Sequence, residues 1–108
     1  MMEITEVNIS LRDEERLKGF ANIILDNIFV IRGLKIIRGE NRYFVSMPSR
    51  RRGDGIFIDI AHPIKNEFRQ YMEKMVLDRY WQVLIHAQEN GYWGAPVDRS
   101  GLHIEDCD

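Results

Sequence analysis

Seven basic side chains fall within residues 32–52: Arg32, Lys35, Arg38, Arg42, Arg50, Arg51 and Arg52, against Glu40 alone. That block carries +6 in a chain whose net charge is −2. Its densest part, Arg50-Arg51-Arg52, follows Ser46 and Ser49 and runs into Gly53-Asp54-Gly55. A guanidinium stays charged at any physiological pH, and its parallel donors match two phosphate oxygens. Serine hydroxyls and turn amides add neutral hydrogen bonds to the same backbone. The chemistry that these residue types support is a phosphate clamp. They also suit a solvated charged loop paired with Asp54, Asp59 or the acidic C-terminal residues, and composition alone does not separate the two.

Other residues offer weaker chemistry. Ser49, Asp59 and His62 are the types of a nucleophilic triad, but no nucleophile elbow or oxyanion loop accompanies them. No catalytic residue is expected, and His62 is expected to bond backbone at a strand-to-helix corner. His86, His103 and Cys107 lack the spacing of a metal site, so neither a metal nor a cofactor is expected. The single cysteine excludes an internal disulfide. No apolar run reaches the length that spans a bilayer, and the N-terminal residues carry no apolar signal core. The expected address is cytoplasmic, nucleoid association included, with no membrane partner and no small-molecule substrate.

Several elements must position the arginines. The chain has 108 residues, 44% hydrophobic and 30% charged, which suits one domain with one core. Val7, Ile9 and Leu11 alternate as in a half-buried strand. Leu17, Gly19, Ala21, Ile23 and Leu25 share the face of a second. Asp26-Asn27 has hairpin-turn chemistry, since both types tolerate positive φ. Ile28 to Arg38 reads as a third strand, and Gly39-Glu40-Asn41 as a second turn. Tyr43 to Met47 is a fourth strand, with Tyr43, Val45 and Met47 on one face. Ile56 to Ile60 is a fifth. Tyr43, Phe44 and Phe57 could stack bases or fill the core, but Tyr43 and Phe44 must point to opposite faces.

The period then changes. Ile64, Phe68, Met72, Met75, Val76, Tyr80, Val83, Leu84 and Ala87 recur at helical steps. Asn66 is the expected N-cap and Gly91 the expected stop. Lys65, Arg69, Lys74 and Arg79 lie on the remaining faces, interleaved with Glu67, Glu73 and Asp78. Residues 92–108 have no period and end acidic, with Tyr92 and Trp93 as the only bulky anchors. The fold class expected is α+β: a five-stranded antiparallel sheet backed by one long C-terminal helix. Residues 1–91 form the domain and residues 92–108 an irregular acidic tail.

Three segments carry a family resemblance: FVSMPSRR (Phe44 to Arg51), DIAHPI (Asp59 to Ile64), and Arg69 at helical spacing beyond it. With LDNIFVIRGLKIIRGENRYFV (Leu25 to Val45), they resemble the stage V sporulation protein G (SpoVG) family over roughly residues 3–82. The pairing of MPSR with a D-I-x-H-P box is what makes the likeness specific. The resemblance implies a homodimeric bacterial regulator that binds DNA and RNA and acts on septation or sporulation. It implies nucleic-acid contact by Ser49, Arg50, Arg51 and Arg52, and on the helix by Lys65, Arg69, Lys74 and Arg79. The pattern stops near Gln82. A rival reading is a protein-interaction module whose basic loop meets an acidic partner.

Overall fold

In the computed structural model, residues 2–89 are described. Six strands and one helix follow in the order β1 (Ile4–Leu11), β2 (Leu17–Leu25), β3 (Phe29–Arg38), β4 (Tyr43–Ser46), β5 (Ser49–Arg51), β6 (Phe57–Asp59) and α1 (Asn66–Glu89). The first four strands form an antiparallel meander, β1-β2-β3-β4. β5 and β6 pair separately as a two-stranded arm. This corrects the expected five-stranded sheet. The segment from Ile56 to Ile60 has the alternation of a core strand, but it pairs with Ser49–Arg51 instead of joining the sheet. The expected tail, with Gly91, Tyr92, Trp93, His103 and Cys107, lies outside the described residues.

The meander follows from its turns. Asp26 and Asn27 both take positive φ, 53° and 60°, and the Ile28 N–H closes their turn on the Leu25 carbonyl at 2.9 Å, so that Leu25 pairs with Phe29 across a three-residue connection. Gly39 closes the β3–β4 turn by donating its N–H to the Arg42 carbonyl at 2.9 Å. Three irregularities interrupt the pairing: between Ile4 and Glu6, between Leu17 and Gly19, and between Ala21 and Ile23. At the last, Gly33 adopts φ 83° and donates its N–H to the buried Asn22 Oδ1 at 3.2 Å. The irregularity next to Lys18 changes the parity of β2. Leu17 consequently leaves the core face that it was expected to share with Gly19 and Ala21.

The core lies between the sheet and α1. Ala21, Ile23, Leu34 and Ile36 meet Met72, Val76 and Tyr80, all at 2% exposure or less. Tyr43 faces the helix and packs on Tyr80 and Trp81, with ring centroids 6.0 and 5.0 Å away. Phe44 therefore takes the opposite face. Ile64, expected on the helical stripe, is 90% exposed and precedes the helix. Arg69 donates to the Lys65 carbonyl at 3.1 Å, so the helical bonding begins one residue before the expected Asn66 cap.

α1 also fastens both outer strands. Ile4 of β1 donates its N–H to the Tyr71 hydroxyl at 2.9 Å. Val45 of β4 donates to Glu73 Oε2 at 3.0 Å, while Glu73 Oε1 accepts from Arg42 at 3.3 Å. An unpaired backbone donor on an outer strand invites another chain to pair with it. At these two positions the helix has already filled that role.

Candidate nucleic-acid interface

The arginine run sits on the β5–β6 arm. Arg52 donates its backbone N–H to the Ile56 carbonyl at 2.8 Å, and Gly55 donates to the Arg52 carbonyl at 2.9 Å. Gly55 has φ 89°, a conformation that suits glycine and closes a three-residue hairpin loop. The expected Gly-Asp-Gly turn is thus present, but Arg50 and Arg51 lie on a strand rather than in a loop.

That strand character separates the three guanidinium groups. Arg50 pairs across with Ile58, and Arg51 with Phe57. Successive side chains on a strand point to opposite faces. Arg51 shares its face with Phe57 and Arg50 shares the other with Ile58, so the trio is not gathered on one surface. Ser49 lies opposite Asp59, on the face of Arg51. Arg50, Arg51 and Arg52 are all exposed.

Of the three, Arg52 is the one engaged by an acid among the described residues. Its Nε and Nη2 donate to Asp54 Oδ1 and Oδ2 at 3.3 and 2.5 Å, and both side chains are 47% exposed. The guanidinium, followed by the Ile56 N–H at 3.1 Å, holds the Asp54 carboxyl below its ordinary value of 3.8. Among the described residues no carboxylate forms an ion pair with Arg50 or Arg51. Of the loop-pairing alternative, the contact with Asp54 is present at Arg52; the acidic C-terminal residues lie outside the described residues.

The helical bases are dispersed. Arg69, Lys74 and Arg79 are spaced five residues apart, which places successive ones about 140° apart around the axis. Lys74 pairs with Asp78 at 2.8 Å and Arg79 donates to Gln82 at 3.1 Å. Arg79 also lines a groove of about 490 Å³ between β1 and α1, with Glu6, Asn8 and Asp78. Lys65 is exposed just before the helix and Arg69 is half-buried. His62 Nδ1 lies 3.1 Å from the Pro63 carbonyl oxygen, the backbone role expected at this corner.

Two features of this region were missed by sequence reasoning. Ile56, Phe57, Ile60 and Ile64 are 55%, 65%, 64% and 90% exposed, so the arm is apolar as well as basic. The alternation of Ile56, Ile58 and Ile60 against Phe57 announced one apolar face without announcing what covers it. Arg12, never singled out, lies with its guanidinium carbon 5.0 Å from the Phe20 ring centroid. Only the register of β1 on β2 brings these two residues together.

A four-stranded meander clasping one long helix, with a separate basic arm, defines a small protein of the α+β class. The SpoVG family profile matches residues 2–82, and the chain belongs to the SpoVG family. It is similar to the septation protein SpoVG of Anaeromyxobacter sp. (strain Fw109-5), with 49% identity over 73% of this chain and 81% of that protein. It is similar to the protein of that name from Myxococcus xanthus at 41% identity, over 90% of this chain and 98% of the relative. The same name belongs to a Clostridioides difficile relative, 45% identical over 78% of this chain and 92% of its own length. All three carry the name of a septation protein.

Proposed function

We propose that this chain is a homodimeric regulator that binds DNA and RNA through the β5–β6 arm and acts in septation or sporulation. The observation that carries the reading is the pair Arg50 and Arg51, exposed on a separate two-stranded arm with no acid from the described residues neutralising them. Their placement on opposite faces suits a backbone that wraps the arm rather than one that lies flat on it. Lys65 and Arg69 follow the arm in sequence and would extend the contact; Lys74 and Arg79, held by Asp78 and Gln82, would contribute less. The septation role rests on the names of the relatives.

Dimerisation is supported by the arm's exposed apolar side chains. An isolated two-stranded hairpin is marginal in water, and contiguous apolar surface commonly marks an interface. A second copy covering Ile56, Phe57, Ile60 and Ile64 would remove that surface and double the arginines. The same patch supports the rival reading, in which a different protein covers the arm and the arginines meet its acidic residues.

Binding of labelled DNA and RNA by the full chain and by the Arg50→Ala/Arg51→Ala/Arg52→Ala variant, at two salt concentrations, tests the reading. Each lost phosphate contact should flatten the log–log salt slope on duplex DNA by about 0.9. Unchanged affinity in the triple variant would remove the proposal. Sedimentation of Phe57→Ser/Ile64→Ser should yield a monomer. If that variant stays dimeric, the arm is not the interface.

A further inference from the structure

The sheet has a second face, turned away from α1, and its side chains are of an unusual set. The register lines up Ser10, Phe20, Lys35 and Ser46 across β1, β2, β3 and β4. The next row holds Leu17, Ile37 and Phe44. Phe20 and Phe44 are half-buried and Lys35 is exposed between them. Arg12 lies over Phe20, its guanidinium carbon 5.0 Å from the ring centroid. It is held there by bonds from Nη1 to the Leu11 carbonyl at 3.0 Å and to Ser10 Oγ at 3.3 Å. The Arg42 guanidinium carbon stands 6.0 Å from the Phe44 centroid while its Nη1 reaches Glu73. Neither row contains a carboxylate.

We propose that this sheet face is a second nucleic-acid contact, specific for single strands, in which unpaired bases stack on Phe20 and Phe44 while Lys35 and Arg12 meet the intervening phosphates. The inference rests on the reading of the chain as a nucleic-acid binder and adds a site and a strand preference to it. Flat rings on a sheet can engage a base only if its π face is free, and a duplex buries those faces in its own stack. A guanidinium already lying on a ring is placed both to extend the stacking surface and to meet a phosphate. Lys35 within the rows, with Arg12 on Phe20 beside them and no acid in either row, favours a polyanion over a protein partner. The apolar surface that a protein partner would want lies on the arm instead.

The test measures anisotropy of a labelled 12-nucleotide oligo(dT) and of a labelled duplex of equal length, using the full chain. In Phe20→Leu/Phe44→Leu, apolar bulk remains and the flat rings are lost. Single-strand affinity should fall about tenfold or more, with duplex affinity within about twofold of the parent. Phe20→Tyr/Phe44→Tyr should restore single-strand binding, which a merely structural role for the rings would not require. Iodouridine placed in the oligonucleotide should photocrosslink to peptides holding Phe20 or Phe44. The proposal is overturned if a Leu variant with parental circular dichroism keeps its single-strand affinity, or loses single-strand and duplex affinity equally. It is overturned too if the parent binds no single strand. Failure of the arm reading looks different: the triple arginine variant then binds duplex as the parent does, whatever the Leu variant does.

Discussion

In the sheet–helix body, Leu34, Ile36 and Val76 are fully shielded from water; in the β5–β6 arm, Ile56, Phe57 and Ile60 each keep more than half of their surface exposed. The two regions use the same residue types in the same alternation. What separates them is a partner. Every body strand has α1 across from its apolar face, whereas the arm has only itself among the described residues. The body's stability is therefore internal to the chain. The arm's apolar residues add little until something covers them, and Arg50 and Arg51 meet no acid among the described residues. The division places stability in the body and the proposed contact in the arm, so each can be disturbed separately.

The sharpest test of that division pairs a core truncation with an arm truncation. Ile36→Ala removes buried methyl groups and should cost about 2–5 kcal/mol, read as a lowered melting temperature. Phe57→Ser, in dilute protein, should change stability by no more than about 0.5 kcal/mol. Equal losses would break the comparison.

A smaller effect is expected at the β4 margin. Glu73→Ala leaves the Val45 N–H without its acceptor and should cost about 1–3 kcal/mol by urea denaturation. Glu73→Gln keeps an acceptor and should recover most of the loss. Within the arm, Gly55→Ala forces a side chain into φ 89° and should cost about 1 kcal/mol locally. Faster amide exchange at Arg52 and Ile56, with an unchanged melting temperature, would confirm that the strain stays in the arm.

The smallest effect is a titration. Asp54 has a lowered carboxyl pKa in the folded chain, chiefly from Arg52 and then from the Ile56 N–H. A carboxyl of that kind supports the turn above its unfolded value and loses the support as the pH falls through the folded one. The arm should therefore be indifferent to pH from neutrality down to the ordinary value of 3.8 and loosen only below it. The Ile56 amide resonance should follow that course, and Asp54→Asn should abolish it. A shift that begins near neutrality would assign the turn to some other group.

Much of the body was legible in the sequence because its signals are local. Asp26-Asn27 has the side chains that tolerate left-handed backbone, and it makes the turn. The helical stripe through Met72, Val76 and Tyr80 is where the core lies. Tyr43 and Phe44 had to diverge, and the ring stack on Tyr80 and Trp81 decides which faces inward. The arm was less legible. Ser49-Arg50-Arg51 has little intrinsic preference for a strand and reads as loop; it becomes one because Ile56–Asp59 folds back on it. The parity change beside Lys18 left no mark in residue type. Tyr71 and Glu73 looked like ordinary residues on a helix, since their task depends on where β1 and β4 come to rest.

Tyr71 and Glu73 stand two residues apart, so one short stretch of α1 guards both flanks of the meander. A proteolytic nick ahead of that stretch would release the two guards together. The remaining fragment would then carry an unmet backbone donor on each outer strand, at Ile4 and at Val45, where a strand from another copy could pair.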